Sequence, residues 1–191
     1  MTLVTKITAL ILPGIGDSDA AHWQSRWQAS NQNFLRVNQR DWNNPDCFEW
    51  VDILELAVSK LDESVVLVAH SLGCLLVAHW AAQTSLNIKG ALLVAPPSPE
   101  TAPSAVIFNS VATGFLPIPM QAFKFPSTVV ASSNDPYSDL EFSKAIAAAW
   151  GSRFLNIGDA GHINTSSGFG EWTEGMNLYK QIFDSFTSKF M

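Results

Sequence analysis

The chain has 191 residues, 47% of them hydrophobic and 15% charged, which gives apolar content for a packed core and rules out a disordered chain. Its formal net charge is −6 and Lys and Arg never form a run, which excludes the basic face that a nucleic-acid binder needs. The length fits a single domain covering 1–191.

Ile7–Leu12 is a continuous apolar run closed by Pro13-Gly14 and reads as a buried strand. It is too short to span a membrane and lacks the basic region and small-residue cleavage pattern of a signal peptide, so a soluble, cytoplasmic chain without membrane association is expected. A helix begins at Ala21–Trp27, and Phe34–Val37 reads as a second, weaker strand. Asn44-Pro45-Asp46 marks another helix start, after which Trp50, Ile53, Leu54, Ala57, Val58 and Leu61 recur at helical spacing. Ser64–Ala69 carries Val65-Val66-Leu67-Val68, apolar on both faces as a central parallel strand should be, and Leu72–Ala82 is apolar nearly all round, as a buried helix should be.

Ala91–Val94 is the next strand, stopped by Pro96-Pro97. From Pro96 to Pro126 the pattern breaks into a Pro-rich excursion, with a short helix expected near Ser104–Val111. Thr128–Ala131, a helix at Leu140–Trp150 and a last strand at Phe154–Ile157 follow. Trp172, Met176, Tyr179, Phe183, Phe186 and Phe190 mark one stripe of a C-terminal helix; a helix lying on a sheet accounts for it better than a coiled-coil dimer, which usually runs longer. This alternation predicts an α/β fold with a mostly parallel sheet of about six strands and helices on both faces, whose ligands gather at the strands' C-terminal ends.

Ala69-His70-Ser71-Leu72-Gly73 stands where an apolar strand turns into an apolar helix, the context a G-x-S-x-G nucleophile elbow requires, with Ala69 in place of the first Gly. The tight turn lifts a serine hydroxyl out of the sheet edge and aims the amides that open the helix at a reacting carbonyl. A serine needs a base to take its proton. Of the four histidines, His162 alone occupies a Gly-flanked loop after the last strand, Gly158-Asp159-Ala160-Gly161-His162-Ile163-Asn164. His70 would point away from a tight turn and His79 lies within the buried helix. Asp135, in Ser132-Ser133-Asn134-Asp135-Pro136-Tyr137 directly after a strand, is the orienting acid preferred over Asp159 and Asp139, because it preserves the chain order Ser, Asp, His.

Pro13-Gly14-Ile15-Gly16 follows the first strand, so the backbone amides of Ile15 and Leu72 are the expected oxyanion-hole donors, and His22 and Trp23 are candidates for the pocket wall. Cys74 reads as a core thiol, and Cys74 and Cys47 as two reduced cysteines. No His/Cys/Asp/Glu set has metal-ligand spacing, and neither a Walker motif nor a complete G-x-G-x-x-G is present, so no metal or cofactor is expected.

With Pro13-Gly14 through His22-Trp23, Ala69–Gly73, Ser132–Tyr137 and Gly161-His162-Ile163-Asn164 in this order, the chain resembles the small serine hydrolase family of the α/β-hydrolase superfamily that includes retinoblastoma-binding protein 9 and its bacterial relatives. The resemblance implies an α/β-hydrolase with little or no cap, a Ser-Asp-His triad, and esterase- or peptidase-like activity on a small-molecule or peptide acyl substrate. Residues 98–126 carry no family signature. Two alternatives remain open: a protein-binding module without catalysis on the same fold, and a lyase or haloperoxidase using the same elbow.

Overall fold

The computed structural model describes residues 7–61 and 64–187, the side chains of 183–187 excepted. Six strands, β1 (Ile7–Leu12), β2 (Phe34–Arg36), β3 (Ser64–His70), β4 (Gly90–Val94), β5 (Ser127–Ala131) and β6 (Arg153–Asn156), form one sheet in the order β2-β1-β3-β4-β5-β6. Every pairing is parallel. The crossovers carry α1 (Trp23–Ser30), α2 (Cys47–Ser59), α3 (Leu72–Ala81), the short α4 (Ala102–Phe108) and α5 (Leu140–Trp150), and α6 (Thr173–Thr187) closes the chain.

Side chains alternate across a strand, so β3 feeds two cores at once. Val65, Leu67 and Ala69 face Trp50 and Leu54 of α2, Leu75 and Trp80 of α3, and Ile146 and Trp150 of α5. Val66 and Val68 face Trp23 and Trp27 of α1 and Tyr179 and Ile182 of α6. This is why the strand has no polar face. Trp23, Trp50, Trp80 and Trp150 are fully buried, and a ring of that size hides roughly 150–250 Å² from water. No described helix is long and apolar enough to cross a membrane.

Helix ends follow local chemistry. The Asp46 carboxylate accepts from the Glu49 amide to start α2, and Asp139 accepts from Phe142 to start α5, which ends on Gly151 in the left-handed region. Strand and helix boundaries fall within a residue or two of those expected, with one larger shift. The helix placed near Ser104–Val111 begins at Ala102 and stops at Phe108, because Pro103 suits a helix's first turn. Of the stripe on α6, Tyr179 and Met176 pack on the sheet as expected, joined by Ile182, which the stripe did not include; the side chains of Phe183 and Phe186, and residue Phe190, lie outside the described residues.

The step from β1 to β2 leaves on one side, and the chain then returns past β1 to build β3 and the rest on the other. The strand order therefore reverses between β1 and β3, and a crevice opens outside their C-terminal ends. The buried Gln24 spans that point, its Nε2 donating to the carbonyls of Leu12 at 3.3 Å and Val68 at 3.0 Å, while its Oε1 accepts from Ser18 at 2.7 Å.

Candidate active site

Ser71 sits at this reversal, between β3 and α3, with φ +55° and ψ −127°. For a non-glycine residue this backbone costs on the order of 1–3 kcal/mol and persists only where the surroundings enforce it. The Ser71 amide donates to Val94 of the neighbouring strand at 2.9 Å. The elbow also presses on the loop after β1. A Cβ on Gly73 would collide with the Leu12 carbonyl oxygen, and one on Gly14 would lie 2.8 Å from the Ser71 Cβ. Both glycines are needed for that close approach. Ala69, in the usual first-Gly position, is wholly buried within β3.

The loops after β5 and β6 bring two more side chains to the same place. His162 Nδ1–H donates to both carboxylate oxygens of Asp135, at 3.0 and 2.9 Å. Nε2 is thereby left without a proton and accepts from the Ser71 hydroxyl at 3.0 Å. The Asp135 side chain is only 2% exposed, so water competes little for it. Between the two loops, the Ser132 hydroxyl accepts from the Ala160 amide at 2.9 Å and Asn134 Oδ1 accepts from Gly161 at 2.7 Å, fixing the carboxylate's strand to the histidine's loop. Asp159 makes no hydrogen bond to His162, and Asp139 caps α5.

Two buried donors that sequence reasoning did not assign hold the histidine's backbone. His70 Nε2–H donates to the His162 carbonyl at 2.9 Å, and the Trp23 indole N–H donates to Ile163, itself left-handed at φ +49°, at 2.9 Å. Trp23, expected in the pocket wall, is fully buried and does not line the cavity. His79 Nε2–H donates to the Phe115 carbonyl at 3.0 Å, away from Ser71. Cys74 is buried and donates to Val94, and burial pushes its thiol well above the ordinary range; Cys47 is likewise free and buried.

A cavity of about 340 Å³ opens over Ser71 and His162. Gly14, Ile15 and Leu72 line it beside the serine. The amides of Ile15 and Leu72 make no hydrogen bond among the described residues. Ile107 and Phe108 of α4 supply apolar lining, which gives the 98–126 excursion a place at the site, and His22 is among the polar residues that line the same cavity.

The His22 and His70 rings lie 4.8 Å apart, and His70 lies 4.8 Å from His162. Burial holds the His22 imidazole down at about 4 and His70 well below its usual 6.5, with charge on neighbouring histidines acting in the same direction. Both are neutral in the folded protein and gain protons on unfolding. Their contribution is complete above pH 6.5 and is lost as pH falls from there toward their folded-state values, by up to about 1.4 kcal/mol per pH unit for each. Urea midpoints measured between pH 7 and pH 5 are expected to fall accordingly; a midpoint flat over that range would contradict it.

Residues 9–181 match the family model described as serine hydrolase. The YdeN protein of Bacillus subtilis is 24% identical over 166 residues, 83% of this chain and 87% of that protein. The structure of a YdeN-like protein from Pectobacterium atrosepticum superposes with a TM-score of 0.81 at 32% identity, covering 93% of this chain and 90% of the other. Est1E of Butyrivibrio proteoclasticus, solved with ferulic acid, shares the fold with a TM-score of 0.68 at 14% identity, over 97% of this chain and 90% of its own. The chain has the α/β-hydrolase fold and belongs to the serine hydrolase family.

Proposed function

We propose that the protein cleaves a carboxylic ester, thioester or amide by two-step acyl transfer, with Ser71 as nucleophile, His162 as base and Asp135 as the orienting acid. The observation that carries this reading is the uninterrupted chain from Asp135 to His162 Nδ1 and from Nε2 to the Ser71 hydroxyl, with no contact beyond 3.0 Å. Ser71 Oγ attacks the carbonyl carbon as its proton passes to His162 Nε2. Asp135 stabilises the imidazolium so formed. The carbonyl oxygen becomes an oxyanion facing the amides of Ile15 and Leu72, which cost no rearrangement because they are already free to donate. His162 then hands its proton to the departing alcohol, thiol or amine. Water attacks the acyl-serine, again giving its proton to His162, and the acid leaves as Ser71 recovers the proton.

A fluorophosphonate probe tests this directly, because it needs an activated serine and no knowledge of the substrate. Mass spectrometry of the labelled protein is expected to place the adduct on Ser71. A folded protein that stays unlabelled would overturn the assignment and favour the protein-binding alternative.

A further inference from the structure

Side chains alternate along β3, so His70 shares the face of Val66 and Val68 and packs toward α1. Its ring is buried, with centroids 4.8 Å from those of His22 and His162 and 6.1 Å from that of Trp23. Burial keeps the imidazole neutral, and its one ring proton is on Nε2, where it meets the His162 carbonyl at 2.9 Å. That carbonyl has no other donor among the described residues. The backbone around it is strained, because Gly161 at φ +55° and Ile163 at φ +49° put left-handed residues on both sides of His162. A β-branched residue keeps such a backbone only where its neighbours enforce it.

Two consecutive residues therefore address one histidine. The Ser71 hydroxyl meets the His162 ring at 3.0 Å, and the His70 ring grips the His162 backbone. We propose that His70 is a positioning residue, whose Nε2–H holds the His162 main chain so that the imidazole faces the Ser71 hydroxyl. Other bonds tie the loop of His162 to the loop of Asp135, through Ser132 and Asn134, and to α1, through Trp23. Among the described residues, that of His70 alone ties its main chain to the strand that carries the nucleophile. The strand that aims Ser71 thus also sets where the base stands. Proton transfer tolerates little error in that distance, and a shift of about 1 Å costs on the order of a hundredfold in rate. The inference rests on the reading of Ser71 as nucleophile and His162 as base.

Three substitutions at His70 test it. His70→Gln keeps an amide N–H at nearly the reach of Nε2, His70→Asn is too short, and His70→Phe fills the space without a donor. With 4-nitrophenyl butyrate, the Asn and Phe variants are expected to lose about tenfold to a hundredfold in kcat, and the rate of fluorophosphonate labelling is expected to fall with it. KM is expected to stay within about twofold, and the Gln variant to keep kcat within about threefold of the parent. Leu54→Ala, which opens a cavity in the core on the other face of the sheet, lowers the melting temperature without touching this contact and is expected to leave kcat near the parent's. Asn and Phe variants as active as the parent overturn the role of His70 and leave the labelled nucleophile standing. So does a Gln variant that loses as much as Phe, or a Leu54→Ala variant that loses as much. Wild-type protein that takes no fluorophosphonate overturns the reading of Ser71 itself. Should the Phe variant fail to fold, the Gln and Asn pair still decides the matter.

Discussion

Replacing Ser71 by Ala is expected to lower kcat toward small activated esters by on the order of a million-fold, with the melting temperature within a few degrees of the parent. The two halves of that result have separate causes. Catalysis is lost because the hydroxyl is the atom that would form the acyl bond, and His162 Nε2, which accepts from it at 3.0 Å, has nothing else to activate there. Stability is spared because one side-chain hydrogen bond is worth about 1 kcal/mol net, while the amide bond to Val94 and the packing of α3 do not involve the hydroxyl. Ester hydrolysis assays alongside a thermal melt check both. Turnover that survives in the Ala variant would mean that another group attacks, and the assignment of Ser71 would be lost.

Asp135→Asn is the second large effect, an expected fall in kcat of about ten-thousand-fold. An amide placed against His162 Nδ1 can donate where the carboxylate only accepts, which moves the ring proton to Nε2. That nitrogen then cannot take the proton of Ser71, and no negative charge remains to stabilise the imidazolium. Asp159→Asn provides the contrast, because Asp159 shares the loop of His162 without bonding its ring. It is expected to leave kcat close to the parent's. If the two variants were to exchange behaviours, Asp135 would be only a structural partner of His162.

The histidine preference could be reasoned from position alone, because a Gly-flanked loop after the last strand leads to the same sheet edge as the elbow. Asp135 followed from chain order in the same way. Trp23 could not be placed so. An indole beside a candidate loop is as ready to cover a pocket as to enter a core, and its bond to Ile163 joins residues 140 positions apart. Gln24 is illegible for a similar reason. A glutamine in a helix's first turn carries no signal that it will be buried with its amide across two strand ends. His70 ends a strand and points away from the nucleophile, and nothing local signals that from that side it reaches the backbone of His162.

Hydrophobic periodicity along the chain is a local property, and so is the turn chemistry of Pro, Gly and Asp. Together they are enough for the parallel α/β architecture, the element boundaries to within a residue or two except at α4, and the elbow at Ser71. The meeting of three loops at 3.0 Å or less, the burial of His22 with an unpaired nitrogen, and the use of Ile107 and Phe108 as a cavity wall depend on how distant segments pack. A hydrogen bond between residues a hundred positions apart leaves no periodic trace, because the strand order and twist that bring its partners together are set by the packing of the whole sheet.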